Sequence, residues 1–250
     1  MIPDRPTRER LDQALVSRGL ARSRAQARDA ILRGHVTVDG AAAQRPAMMV
    51  EAAAAVAVDD PSAGYVSRAA LKLIAGLDAF GYDPAGRVAL DLGASTGGFT
   101  QVLLERGAAR VFAVDVGHGQ LAPALAGDAR IVAMEGVNAR DLTPAMIAAP
   151  VDAVTADLSF ISLRLALPPA LELARPGAFA VILVKPQFEV GRDGLGKGGI
   201  VRDPVLAERA ATDVAGWVSG QPGWTVDGLI PSPIAGGDGN REFLLGARRG

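Results

Sequence analysis

The sequence predicts an α/β protein of two domains: a mostly parallel sheet flanked by helices, preceded by a small α+β module. Three observations predict this. From Tyr65 onward, short apolar segments alternate with helical stretches, the βαβ rhythm of a parallel sheet. Before that point the pattern is two short helices and a hairpin. Between the two lies Asp59-Asp60-Pro61-Ser62-Ala63-Gly64, a polar stretch broken by Pro and Gly. Domains are expected at residues 1–60 and 67–250, joined by a linker at 61–66.

In the first domain, Arg8 to Val16 has apolar residues at helical spacing. Ser23 caps a second helix, Arg24 to Arg33, which stops at Gly34. His35 to Asp39-Gly40 alternates and then turns, a hairpin signal. Glu51 to Val58 is alanine-rich and short. In the second domain the expected strands are Val88–Gly93, Val111–Asp115, Ile131–Met134, Val154–Asp157, Phe179–Val184, Trp224–Ile230 and Phe243–Ala247. Expected helices between them include Phe99–Arg106, Leu163–Ala174 and Pro204–Val218, the last with Asp203 as cap and Pro in its first turn.

Composition removes several classes of chemistry. There are no cysteines, so disulfides, thiolate metal sites and cysteine nucleophiles are excluded. His35 and His118 are the two histidines and do not have ligand spacing, so no metal is expected. No apolar run approaches the ~20 residues that span a bilayer, and Met1 to Arg10 does not read as a signal peptide. A cytoplasmic protein without a membrane partner is expected, and nothing calls for an obligatory protein partner. The net charge of −1 leaves a nucleic-acid partner to be judged from local charge.

Local charge is informative. Between Arg5 and Arg45 every basic side chain is arginine: Arg5, Arg8, Arg10, Arg18, Arg22, Arg24, Arg28, Arg33 and Arg45. Four acids oppose them, Glu9, Asp12, Asp29 and Asp39. Such a set can be a solvated helix surface. Equally, Arg18, Arg22, Arg24 and Arg28 gather at one helix start, where guanidinium forks and free N–H groups suit phosphate. The order Arg10-Leu11-Asp12, Ser23-Arg24-Ala25-Gln26-Ala27 and Gly34-His35-Val36-Thr37-Val38-Asp39-Gly40 resembles the αL-type RNA-binding module of the ribosomal-protein-S-four family. That resemblance implies RNA contacts from Arg8, Arg10, Arg18, Arg22, Arg24, Arg28 and Arg33, with Arg68 added from the start of the second domain.

Val88-Ala89-Leu90-Asp91-Leu92-Gly93 runs into Ala94-Ser95-Thr96-Gly97-Gly98-Phe99-Thr100. Glycines there let backbone approach a ligand at the mouth of a sheet. The dinucleotide fingerprint is absent, so no pyrophosphate cradle is spelled out. Asp115 closes the next strand, where a carboxylate can accept from both ribose hydroxyls of a nucleoside. Asp141 follows Asn138 where the loop after the third strand would meet the adenine. Strand-end acids also serve as helix caps; two at successive strand ends after a Gly-rich turn favour a Rossmann-like nucleoside site. The arrangement resembles that of S-adenosylmethionine-dependent methyltransferases. Expected cofactor contacts are Asp91, Gly93, Ala94, Ser95, Thr96, Gly97, Gly98, Phe99, Asp115, Val116, Asn138 and Asp157.

Lysine is rare: of 26 basic residues only Lys72, Lys185 and Lys197 are lysines. Arginine keeps its proton, whereas a desolvated lysine can act as a base. Lys185 follows five apolar residues at one strand end, and Asp157 ends another; carboxyl ends of strands converge on the ligand crevice. Nearby carboxylates would oppose a neutral lysine. Each charge alone is compatible with a surface ion pair. Together, Lys72, Asp157, Lys185 and Glu242 resemble the Lys-Asp-Lys-Glu tetrad of FtsJ-type 2′-O-methyltransferases. The stretches Tyr65-Val66-Ser67-Arg68, Asp91 to Thr100, Lys185-Pro186-Gln187-Phe188-Glu189 and Gly239-Asn240-Arg241-Glu242-Phe243 are similar to the TlyA family, with Tyr65 where tryptophan is frequent. The resemblance implies ribose 2′-O-methylation of cytidine in ribosomal RNA, free or in a ribosomal subunit. It also implies that Lys185 is the base and that the other three position it and the ribose. Lys197, in a glycine-rich loop, suits either a lid or a plain surface loop.

Rival readings are a haemolysin without methyltransferase activity, a label this family has carried, and a methyltransferase acting on another RNA or a small molecule. A small-molecule enzyme has no use for an arginine-rich module. Asp157-Leu158-Ser159-Phe160 lacks the prolines usual at the strand end of amine methyltransferases.

Overall fold

The computed structural model describes residues 8–250; Arg5 lies outside the described residues. The chain divides into two compact units, one ending at Gly64 and one beginning at Tyr65.

The first unit contains β1 (Arg8–Arg10), α1 (Leu11–Ser17), α2 (Arg24–Leu32), β2 (Val36–Val38), β3 (Ala41–Ala42), β4 (Met49–Glu51) and β5 (Val56–Val58). Residues 8–10 are strand, a correction to the helix expected from Arg8. Arg-Glu-Arg has no apolar member to place on a helix face, and it pairs antiparallel with residues 49–51 instead. Ser23 Oγ accepts from the Gln26 N–H as cap of α2. Asp39 and Gly40 both take positive φ between β2 and β3, as a two-residue hairpin turn requires. Leu11, Leu15 and Ile31 are fully buried here, each contributing about 1.5–3 kcal/mol.

Asp12 is fully buried beneath this surface. Arg10 holds it with two hydrogen bonds, 2.9 and 3.0 Å, and Arg24 with a third at 3.1 Å. Arg10, then Arg24, hold its carboxyl at about 2 against the burial that would raise it. A depressed acid stabilises above its unfolded value and loses that contribution as pH falls through its folded value. Protection of the α1 and α2 amides from hydrogen exchange in the full chain is therefore expected to fall between about pH 4 and pH 2. Asp12→Asn should remove that component and lower protection at neutral pH; a variant with the unaltered pH profile would refute the role of this cluster.

The second unit contains α3 (Ala70–Phe80), β6 (Val88–Leu92), α4 (Gly98–Glu105), β7 (Arg110–Asp115), β8 (Ile131–Glu135), β9 (Val151–Ala156), α5 (Leu163–Ala166), α6 (Pro168–Leu173), β10 (Ala174–Val184), α7 (Pro204–Ser219), β11 (Trp224–Pro231) and β12 (Phe243–Arg249). The sheet order is β11-β12-β10-β9-β6-β7-β8. β12 runs antiparallel to both neighbours, and the remaining pairs are parallel. From β6 the chain builds outward through β7 and β8, then returns to β9 on the other side. That reversal opens a crevice at the carboxyl ends of β6 and β9. The helix expected over 163–174 is two helices, because Pro168 has no N–H to continue the first.

Alternation along the strands divides the core. Ala180, Ile182 and Val184 pack on one face with Leu90, Val154 and Leu245. Phe179, Val181 and Leu183 pack on the other with Ala89, Ala153 and Leu244, beneath Leu73 and Leu77 of α3. α3 approaches so closely that a Cβ on Gly76 would stand 2.7 Å from Val181 Cγ1. Lys72 lies four residues before Gly76, on the same helical face.

Candidate active site

The turn after β6 is set by Gly93, whose φ is +77° and whose hypothetical Cβ would lie 2.5 Å from the Asp157 carbonyl oxygen. Only glycine lets this turn lie against the end of β9. Ser95, also at positive φ, donates its N–H to Asp115 Oδ2 at 2.8 Å, and Gly117 donates to Asp115 Oδ1 at 2.8 Å. The carboxylate at the end of β7 is thus fixed by backbone, with lone pairs remaining.

A cavity of about 660 Å³ opens between these strand ends, lined by Gly93, Asp115, Val116, Asn138, Asp157 and Phe160 among others. A neighbouring cavity of about 170 Å³ is lined by Ala94, Ser95, Thr96, Gly98, Phe99 and, at its far side, Asp157 and Lys185. The donor set fits S-adenosylmethionine. Asp115 suits ribose hydroxyls, and Asp157 places a second carboxylate where the cavities meet, suited to a cation. Asp157 Oδ1 is buried and receives no hydrogen bond.

The structure brings most of the expected cofactor residues to these cavities, but not Asp91 or Gly97. Asp91 is fully buried, and its oxygens accept from Thr100 Oγ1 at 2.7 Å and Thr155 Oγ1 at 3.0 Å. Burial pushes its carboxyl up to about 6 despite those two hydrogen bonds, and the Asp157 charge adds to the rise. Asp91 ties α4 to β9 under the turn. Gly97 caps α4 at φ +96°, packed against Leu121 and Leu125.

The four tetrad residues form two ion pairs. Lys72 Nζ donates to Glu242 Oε2 at 2.5 Å, with both side chains buried. Lys185 Nζ lies 2.6 Å from Asp157 Oδ1, at an angle outside hydrogen-bond geometry, and donates to Ser159 Oγ at 2.7 Å. The carboxylate expected near Lys185 is therefore in place. By alternation, Asp157 continues the face of Ala153, Lys185 that of Leu183, and Glu242 that of Leu244, the face α3 covers. Register does the rest: Val184 pairs with Phe243, so Lys185 and Glu242 are neighbours on β10 and β12. They line a third cavity of about 380 Å³ with Ser159, Phe160, Gln187 and Phe188. Lys185 borders this cavity and the one at the glycine turn. Leu195, Gly198 and Gly199 line it too, while Lys197 on the same loop is exposed.

Sequence reasoning passed over Ser159, Phe160 and Gln187. Phe160 is 91% exposed at φ +65°, its ring 5.3 Å from that of Phe188. An aromatic after a strand-end acid was the available signal.

The arginines divide. Arg10 and Arg24 are held by Asp12, Arg33 by Asp29 and Asp60, Arg8 by Glu51, and Arg18 by Glu9 and two carbonyls. Arg22 donates to the Gly64 carbonyl, and Arg68 is half-buried ahead of α3. Arg28 and Arg45 are exposed.

Residues 65–249 match the FtsJ-like methyltransferase family, and residues 9–56 match the S4 domain. The 16S/23S rRNA (cytidine-2′-O)-methyltransferase TlyA of Mycobacterium tuberculosis is 50% identical over 242 residues, covering 96% of this chain and 90% of that one. The chain belongs to the TlyA family of FtsJ-like methyltransferases. It is an enzyme of that class, and S-adenosylmethionine is its methyl donor. Hemolysin A of Brachyspira hyodysenteriae, another member, is 39% identical across 94% of this chain and 98% of its own. A solved structure carrying a hemolysin label, from Streptococcus thermophilus, matches with a TM-score of 0.76 at 37% identity, over 98% of this chain and 89% of that one. Among the described residues no helix is long and apolar enough to cross a membrane.

Gly93→Ala is expected to force a strained φ and a clash with the Asp157 carbonyl, costing about 2–4 kcal/mol. For a unit of this size the thermal midpoint should fall by at least about 5 °C. Calorimetry of the full chain checks it; an unchanged midpoint would mean the turn tolerates a side chain.

Proposed function

We propose that this enzyme methylates the 2′-hydroxyl of a cytidine in ribosomal RNA, in the cytoplasm, with Lys185 as base and Asp157, Lys72 and Glu242 as the groups that position it and the ribose. The observation that carries the reading is the place of Lys185, which borders both the cavity at the glycine turn and the cavity shared with Glu242. The identity to an enzyme named for cytidine-2′-O methylation of both rRNAs supports the substrate class.

When bound, S-adenosylmethionine supplies a methyl group on a sulfonium, whose departure leaves a neutral thioether. Asp115, Asn138 and the turn from Gly93 to Phe99 would hold it, with Asp157 beside the cationic end. The 2′-hydroxyl is a weak nucleophile until its proton is drawn off. As the hydroxyl oxygen took the methyl group that the bound cofactor would supply, its proton would pass to Lys185 Nζ. Nζ can accept only after giving up a proton of its own. Asp157 Oδ1 at 2.6 Å and Ser159 Oγ at 2.7 Å are the groups through which that proton can leave. Glu242, charge-balanced by Lys72, offers an acceptor for a ribose hydroxyl from the other wall. Phe160 presents an aromatic face of the kind on which bases stack.

Lys185→Ala should lower the methylation rate about 10²–10⁴-fold while the calorimetric affinity for S-adenosylmethionine stays within about threefold. Loss of cofactor binding instead would make Lys185 a cofactor residue and remove the base from this reading.

Arg28, exposed on α2, is proposed to contact phosphate. Arg28→Ala should weaken RNA binding and reduce the slope of log affinity against log salt by about one. An unaltered slope would exclude this contact. Arg10→Ala should instead act chiefly through the stability of the first unit, by exposing the Asp12 charge.

A further inference from the structure

The cavity shared by Lys185 and Glu242 contains a polar group that the ribose chemistry does not use. Gln187, two residues beyond Lys185 in the short 3₁₀ turn Pro186–Phe188, is 8% exposed and lines this cavity. Its Oε1 is buried and receives no hydrogen bond. A buried amide oxygen without a donor costs about 1–3 kcal/mol, a cost that a donor from a bound ligand would offset.

The cavity walls limit that ligand. Lys185 and Glu242 stand on one side, Phe160 and Phe188 supply aromatic surface, and Gln187 is the remaining polar side chain between them apart from Ser159 and Asp238. Ser159 Oγ is taken by Lys185, and Asp238 Oδ2 accepts from Asn240 Nδ2 at 3.0 Å. A nucleotide whose ribose lay by Lys185 and Glu242 would have the aromatic rings and Gln187 in the same cavity as its base.

We infer that Gln187 is a specificity-determining residue, its buried Oε1 accepting a hydrogen bond from the exocyclic amine of the target cytosine. The inference rests on the proposed function and adds the group that reads the base. Cytosine offers an N–H donor at its 4-position where uracil offers a carbonyl oxygen. A buried acceptor in the cavity wall favours the first and repels the second. The 2′-hydroxyl cannot serve instead, because its proton is the one that goes to Lys185.

The test compares full-length wild-type enzyme with Gln187→Leu, which keeps size and burial but removes the acceptor. The substrates are ribosomal RNA transcripts with the mapped acceptor cytidine retained or replaced by uridine. Wild type is expected to prefer cytidine by about tenfold or more. In Gln187→Leu, kcat/KM on cytidine should fall about tenfold while that on uridine holds, so that the preference collapses towards one. Calorimetric affinity for S-adenosylmethionine should remain within about threefold. Gln187→Glu, which retains acceptor oxygens, should keep most of the preference and serves as the second variant should the leucine protein misfold. A cytidine preference unchanged in Gln187→Leu, whether or not the rate falls, overturns the assignment while leaving the proposed function intact. A wild-type enzyme that methylates no ribosomal cytidine would sink the proposed function, and this inference with it.

Discussion

Four charged groups stand at the carboxyl edge of the sheet under apolar strands, and each can stay there only because its partner is within contact distance. An isolated ammonium or carboxylate in such surroundings costs several kcal/mol. Lys72 with Glu242, and Lys185 with Asp157, reduce that cost pairwise. The pairing depends on three backbone conditions. Gly76 lets α3 approach the sheet closely enough for Lys72 to reach Glu242. Gly93 lets the turn after β6 lie against the end of β9. The antiparallel β12 brings its first residues to the edge where its parallel neighbours end. A parallel strand in that position would have delivered its last residues, Arg248 and Arg249, instead.

Asp91 shows how the same edge is kept in register from beneath. It is buried on the face that carries Asp157 and Lys185, and its two threonine donors come from α4 and β9. The acid that sequence patterns associate with the cofactor thus works one layer below it. Asp115, one strand over, is the carboxylate left open to a nucleoside. The two acids at successive strand ends differ in task because one strand continues under a helix and the other ends at the cavity.

Much of this was legible in the sequence. All seven strands of the main sheet were expected from short, mostly apolar stretches rich in β-branched residues between helical segments. Asp157, Lys185 and Glu242 were legible as charges at strand ends, whereas Lys72, on α3, was reached through the resemblance. Other features were not. Residues 8–10 carry no periodicity, so their pairing with residues 49–51 is a tertiary choice. Residues 163–174 read as one helix until Pro168 is weighed against the apolar spacing on either side. The arginines of the first unit were read as a cluster suited to phosphate, with four opposing acids, yet folding turns Arg24 and Arg33 onto Asp12 and Asp60, and Arg10 onto Asp12 two residues on. Gln187 lies between a proline and a phenylalanine in a turn without repeat. Its significance comes wholly from burial.

The division among the arginines bears on how a small module binds RNA. A unit of this size buries only enough apolar surface for marginal stability, and here its core surrounds a buried, ion-paired aspartate. The guanidinium groups of Arg10 and Arg24 are partly committed to neutralising Asp12, so charge counted from composition alone overstates what the surface offers a phosphate chain. In the proposed reading, exposed arginines such as Arg28 supply phosphate contacts, which position the RNA but carry no sequence information, so the choice among nucleotides falls to the cavity beside Lys185.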